Sequence, residues 1–115
     1  MRVTAPRTRA EPASIDVDVF RAISDPTRRA LLDLLRTRDR SVTELAEPFH
    51  MTQPAISQHL RVLRHAGLVR PQQVGRQRVY RLNAKPLRQV RDWAALYERF
   101  WQKKLAALGD FLDRS

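Results

Sequence analysis

The segment from Ser41 to Gly67 constrains the fold more than any other part of the chain, because it spells out two short helices and the connection between them. Ser41-Val42-Thr43-Glu44 is a capping box: the Ser41 hydroxyl accepts from the Glu44 amide while the Glu44 carboxylate reaches back to the Ser41 amide. The helix it starts runs through Leu45 and Ala46 and stops near Pro48. After Phe49, His50 and Met51, Thr52 caps a longer helix that extends to Ala66 and is ended by Gly67. Two such helices, the second longer and richer in polar groups, describe a helix-turn-helix. Directly beyond, the apolar period changes to two. Leu68-Val69-Arg70 and Arg78-Val79-Tyr80-Arg81-Leu82 read as strands about a turn at Gly75-Arg76, with Pro71 confining the first strand to a sheet edge.

The flanks add helices. Asp25-Pro26 is a start signal for a helix running to about Arg38, with Leu31, Leu34 and Leu35 inward and Arg28, Arg29, Asp33 and Arg36 outward. Before it, Val19, Phe20 and Ile23 suit a short amphipathic helix between Ile15 and Ser24. Residues 1–14, with Pro6 and Pro12 and no apolar period, read as a disordered arm. Asn83 opens a long last helix, with Pro86 in its first turn, that runs to about Leu112. The expected fold is therefore mostly α with a small β-hairpin: a winged helix-turn-helix of four helices, two strands and a fifth helix. Residues 15–115 form its one DNA-binding and dimerisation domain.

Charge points to the partner. The 115 residues carry 22 Lys+Arg against 12 Asp+Glu, a formal net charge of +10. No acidic residue lies between Glu47 and Asp92, whereas that stretch holds Arg61, Arg64, Arg70, Arg76, Arg78, Arg81, Lys85, Arg88 and Arg91. A solvated surface normally mixes its signs, so a one-sign block inside a folded domain implies a dedicated basic surface for a polyanion: nucleic acid such as double-stranded DNA or, failing that, an anionic membrane surface. A basic but idle face is the plain alternative. Cysteine is absent, which removes disulfides, thiolate metal sites and cysteine nucleophiles together. No apolar run approaches the roughly 18 residues of a membrane span, and no apolar region follows Arg2, Arg7 and Arg9 as a signal peptide requires. A cytoplasmic protein without a membrane partner is expected. Nothing suggests an enzyme: there is no Ser/His/Asp order, glycine occurs only at 67, 75 and 109, and no carboxylate pair marks a cleft.

On the longer helix of the pair, Ile56, Leu60 and Leu63 share one face and point into the core. Ser57, Gln58, Arg61, Arg64 and His65 fall on the opposite arc, with Thr52, Gln53 and Pro54 at the leading end. Amide and guanidinium groups near a helix N-terminus are what major-groove readout requires: Gln53 and Gln58 suit adenine, Arg61 and Arg64 guanine or phosphate. Ser57 is short enough to let the helix approach closely. Arg76 and Arg78 flank the hairpin turn and can reach a phosphate or the adjacent minor groove. The candidate DNA-binding residues are thus Thr52, Gln53, Pro54, Ser57, Gln58, Arg61, Arg64, Arg76 and Arg78.

The chain ends suggest a second subunit. Leu87, Val90, Ala94, Tyr97, Trp101, Leu105, Leu108 and Leu112 recur at helical spacing, and Trp93, Leu96, Phe100 and Phe111 widen the stripe. One domain of this size does not cover both stripes, so Val19, Phe20, Ile23, Trp93, Leu96, Tyr97, Phe100, Trp101, Leu105 and Leu108 form the expected interface of a homodimer. A two-fold dimer places its reading helices about one DNA turn (~34 Å) apart and demands an inverted-repeat operator.

With these residues assembled, the sequence resembles the ArsR/SmtB family of winged-helix transcriptional repressors. The resemblance is carried by Ala22-Ile23-Ser24-Asp25-Pro26-Thr27-Arg28-Arg29, by Thr52-Gln53-Pro54-Ala55-Ile56-Ser57-Gln58-His59-Leu60, and by Val62-Leu63-Arg64-His65-Ala66-Gly67-Leu68-Val69 with the hairpin behind it. It spans about residues 15–112 and implies a homodimer that binds operator DNA, usually repressing its own operon. The family's base-reading positions fall on Gln53, Ser57 and Gln58. Its sensor residues do not carry over. Where metal-sensing members have Cys-x-Cys near the third helix, this chain has Ser41 and Thr43; on the last helix Asp92 is followed by Ala94, and no histidine lies beyond His65. His50, His59 and His65 fall in the reading head, and the last two, six apart, do not share a helical face as i and i+4 do. No metal and no cofactor are expected. Core packing is the expected use of the aromatic last helix, an organic ligand or a partner protein the alternative. A winged-helix protein-interaction module with incidental DNA contact is the competing function.

Overall fold

In the computed structural model, which describes residues 18–114 apart from the side chains of 105, 106, 110, 111, 113 and 114, helix after helix begins at a side-chain oxygen. The expected arm at 1–14 and the Leu105 side chain lie outside the described residues. Helix α1 (Val19–Ile23) starts where the Asp18 carboxylate accepts from the Phe20 amide at 2.9 Å. Helix α2 (Pro26–Thr37) starts at Asp25, whose carboxylate accepts from the amides of Thr27 at 2.7 Å and Arg28 at 3.1 Å. The capping box closes in both directions before helix α3 (Val42–Ala46): the Glu44 amide donates to Ser41 Oγ at 3.2 Å, and the Ser41 amide to Glu44 Oε1 at 2.9 Å. Helix α4 (Gln53–His65) begins with the Ala55 amide donating to Thr52 Oγ1 at 3.2 Å. Each cap satisfies donors that a helix start otherwise leaves unpaired.

The end of α4 is equally determined. Gly67 has φ +77°, the left-handed region, and the amides of Gly67 and Leu68 donate to the carbonyls of Arg64 and Leu63, both at 2.9 Å. This is a Schellman motif, completed by apolar burial of Leu63 and Leu68. The chain then turns into strand β2 (Val69–Val74), reverses at Gly75-Arg76 and returns as β3 (Gln77–Leu82). The short strand β1 (Arg40–Ser41), not expected from sequence, pairs with β3, giving an antiparallel sheet of order β1-β3-β2. Pro71 accordingly sits on an edge strand, where its missing N–H costs no ladder bond.

The core lies between these elements. Val19 and Ala22 of α1, Leu31, Leu32 and Leu35 of α2, Leu45 of α3, and Ile56, Leu60 and Leu63 of α4 are buried with Leu68, Val69 and Tyr80. Leu32 joins this set unexpectedly, whereas Leu34 is only half-buried at its edge.

The last helix is not continuous. It is two helices, α5 (Leu87–Ala95) and α6 (Glu98–Arg114). At the junction the amides of Leu96, Tyr97 and Phe100 donate to carbonyls three residues back, at 2.9–3.1 Å, so the ladder tightens there without glycine or proline. Asn83 does not open this helix either. Its side chain donates to the Gly67 carbonyl at 2.8 Å and fastens the end of the hairpin to the end of α4. Against the core α5 contributes only the half-buried Leu87 and Val90, which leaves the rest of the aromatic stripe outside. No helix among the described residues is long and apolar enough to cross a membrane.

Candidate nucleic-acid interface

Burial of Ile56, Leu60 and Leu63 fixes the rotation of α4 and thereby selects what faces outward. Thr52, Gln53, Pro54, Ser57, Gln58, Arg61 and Arg64 are all exposed. Pro54, Ser57, Gln58 and Arg61 line one shallow groove along the helix. Ser57, Arg61 and Arg64 also line a second hollow of about 200 Å³, whose other wall is Arg78 and Tyr80 of β3 together with Val42 and His65. The structure therefore brings helix and wing side chains to one continuous surface. At its leading end, Gln53 Nε2 donates to Thr43 Oγ1 at 3.4 Å, a contact between the two helices that sequence reasoning did not supply.

The wing is built to stand away from the body. Gly75 at φ +61° allows the tight reversal, and Arg76 beside it is exposed at the tip. Arg78 lies with its guanidinium carbon 5.8 Å from the centre of the Tyr80 ring, which is itself mostly buried and holds the arginine over a fixed platform. Three arginines elsewhere are neutralised by ion pairs. Arg38 pairs with Glu44 at 3.0 Å, Arg81 with Asp39 at 3.1 Å and Arg91 with Asp92 at 3.0 Å. Among the described residues no carboxylate stands within ion-pair distance of Arg61, Arg64, Arg76 or Arg78. Unneutralised guanidinium groups on one face are what a polyanion requires.

The carboxylates with altered acidity serve the scaffold. The Ser41 amide, then Arg38, hold the Glu44 carboxyl below its usual range. For Asp25, burial alone acts upward, but the amides of Arg28 and Thr27 and the charge of Arg28 outweigh it and the carboxyl is lowered.

The three histidines part company. His50 is exposed on the α3–α4 connection, and His65 is exposed beside the second hollow. His59 faces the other way: its Nδ1 lies 3.2 Å from Nη1 of Arg28, which is half-buried rather than outward as the helical pattern suggested. Among the described residues no three His, Asp or Glu side chains converge as a metal site. Ser41 Oγ and Thr43 Oγ1, at the positions of the family's cysteine pair, are occupied with the Glu44 amide and Gln53.

The expected dimer residues divide in the same way. Val19 is 3% exposed in the protomer's own core and is withdrawn from any interface by that packing. Ile23 and Phe20 are half-buried against the core. Outside it, Phe20, Trp93, Tyr97 and Phe100 form a row of rings with successive centroids 5.7, 5.5 and 6.3 Å apart. Trp93, Leu96, Tyr97, Phe100, Trp101 and Leu108 are exposed, several by more than half.

Comparison with known proteins agrees with this geometry. A family model described as bacterial regulatory protein, arsR family, matches residues 25–70, the span from the start of α2 into β2. The chain is 41% identical over 76 residues to the transcriptional repressor SdpR of Bacillus subtilis, covering 66% of this chain and 84% of that protein. It is 36% identical over 94 residues to the HTH-type transcriptional regulator Rv2034 of Mycobacterium tuberculosis, covering 82% of this chain and 85% of that one. A crystal structure of an ArsR family transcriptional regulator superposes with TM-score 0.66 at 35% identity, over 74% of this chain and 93% of the other.

Proposed function

The chain belongs to the ArsR family of helix-turn-helix transcriptional regulators, and from that premise we propose that it is a homodimeric repressor of its own operon, binding an inverted-repeat operator. It is a DNA-binding transcriptional regulator and not an enzyme. The observation that carries the finer reading is the single surface on which Ser57, Arg61, Arg64 and Arg78 converge, free of carboxylates among the described residues. In this reading Gln53, Ser57 and Gln58 meet base edges in the major groove, with Thr52 and Pro54 setting the approach of the helix end. Arg61 and Arg64 take guanine or phosphate, and Arg76 and Arg78 grip the neighbouring backbone.

The uncovered row of rings supports the dimer in this reading. A lone protomer that leaves Trp93, Tyr97, Phe100 and Trp101 half in water carries an apolar patch of the kind that a second copy covers. Two-fold pairing through this face gives the two reading helices that an inverted repeat requires. For an effector, the chain favours an organic ligand or a partner protein over a metal ion, because the hydroxyls at 41 and 43 are hard donors already engaged within the fold. The protein works in the cytoplasm beside its DNA. The test is selection from a random duplex library with the full chain. Enrichment of an inverted repeat with half-sites about one helical turn apart is expected; no enriched sequence would leave a protein-interaction module as the better reading.

A further inference from the structure

Arg28 stands where three helices meet. From the first turn of α2 its Nε donates to the Ala22 carbonyl at 2.6 Å and its Nη2 to the Arg21 carbonyl at 3.1 Å, both near the end of α1. Its Nη1 donates to His59 Nδ1, midway along α4, at 3.2 Å. A guanidinium has no acceptor, so His59 accepts at Nδ1 and carries its proton on Nε2. Arg29 adds a bond to the Ile23 carbonyl at 2.7 Å, and the Asp25 carboxylate accepts from the Arg28 amide at 3.1 Å. The end of α1 is thus tied to α2, and through one side chain to the helix that presents Ser57 and Gln58.

We propose that Arg28 is a positioning residue for DNA recognition, registering the reading helix α4 against α1 through His59. The inference rests on the DNA-binding reading above and adds a route to it. Helix α1 carries Phe20, whose ring meets Trp93 on the exposed aromatic row at 5.7 Å. A contiguous set of contacts therefore runs from Trp93 through Phe20 and α1 to Arg28, His59 and the reading helix. Covering the aromatic face biases α1, and α1 biases the angle at which Ser57 and Gln58 enter the groove. A fork of donors spanning two elements does this where a single ammonium does not, because one point charge cannot hold both α1 carbonyls and the imidazole in fixed directions.

The experiment uses the full chain and fluorescence anisotropy on two duplexes: one enriched by the wild type from a random library, and its scrambled counterpart. Arg28→Ala is expected to weaken the selected duplex about tenfold and the scrambled one by less than about twofold. Arg28→Lys does not restore the difference. His59→Asn, which keeps an acceptor near the Nδ1 position, stays within about twofold of wild type, while His59→Leu loses as much as Arg28→Ala. The double variant Arg28→Ala/His59→Leu is no worse than either single one, as expected for partners in one contact. Because the two His59 variants leave the α1–α2 bonds in place, their difference decides the matter even if Arg28→Ala folds poorly. Equal losses on both duplexes would make Arg28 a phosphate contact and overturn the proposal, as would additive losses or equal behaviour of the two His59 variants. A wild-type chain that enriches no sequence overturns the DNA-recognition reading itself, an outcome visible before any variant is made.

Discussion

Replacing Trp93 by alanine should weaken the proposed dimer. Trp93 is 52% exposed in the protomer, so about 130 Å² of a side chain of roughly 250 Å² awaits cover. At about 25 cal/mol per Å² this is about 3 kcal/mol per protomer, and two-fold symmetry counts it twice. If the partner covers only half of that area, about 3 kcal/mol still separates variant from wild type, a shift of about a hundredfold in the dimer dissociation constant. Sedimentation equilibrium over a concentration series reads this directly. Trp93→Ala also removes ring contacts to Phe20 and Tyr97 within the protomer, at about 1 kcal/mol each. Leu96→Ala supplies the control, since Leu96 is 72% exposed and its removal leaves the core intact. Weakened dimers in both variants, with Leu96→Ala melting like wild type, are the expected result. Unchanged dissociation constants in both would refute the assignment of this face.

Four further outcomes follow from the same structure. Arg76→Ala should weaken binding to every duplex and reduce the slope of log affinity against log salt by about two for a dimer, one per lost phosphate contact; an unchanged slope in a salt titration would remove the wing tip from the interface. Gln58→Ala should leave that slope alone and lose about 1–3 kcal/mol of discrimination at one base pair of each half-site, measured by competition with single-base variants. Ser41→Ala, which takes the acceptor from the Glu44 amide, should lower stability by about 1 kcal/mol and the melting temperature by roughly 4–8 °C. Acid should destabilise the fold. Asp25 and Glu44 are lowered from 3.8 and 4.5 respectively, so the unfolded chain binds more protons and their stabilisation, present above those values, is lost as pH falls through the lowered ones. Melting curves from roughly pH 6 to pH 3 should show a shallower decline for Asp25→Asn, which keeps the cap but not the charge.

Much of the fold could be read because local chemistry decides it. Asp25-Pro26, the Ser41–Glu44 box, Thr52 and Gly67 each pair or release a specific backbone group, and the helices begin and end there. The core face of α4 was legible for the same reason, since Ile56, Leu60 and Leu63 must share one side. Features that depend on residues far apart were hidden. Strand β1 spans only Arg40–Ser41, too short for any period, and exists because β3 arrives beside it from 40 residues on. The break between α5 and α6 carries no breaker residue and shows only in its shortened hydrogen-bond pattern. Arg28 and His59 are 31 residues apart, so helical spacing could place one outward and the other in the reading head without revealing that they meet. Val19 offers the sequence reader only its apolar character, which does not distinguish a protomer's core, where it lies, from an interface.

The proposed role of the face joining α4 to the wing is to read a particular DNA sequence. Its most direct test is titration of a labelled duplex from the gene's own upstream region against a scrambled duplex, each at roughly 50 and 200 mM salt. The expected result is a complex of two protomers per duplex that survives the higher salt on the upstream sequence and dissociates from the scrambled one. Equal, salt-sensitive binding to both duplexes would contradict autorepression and leave only a basic surface that attracts any polyanion.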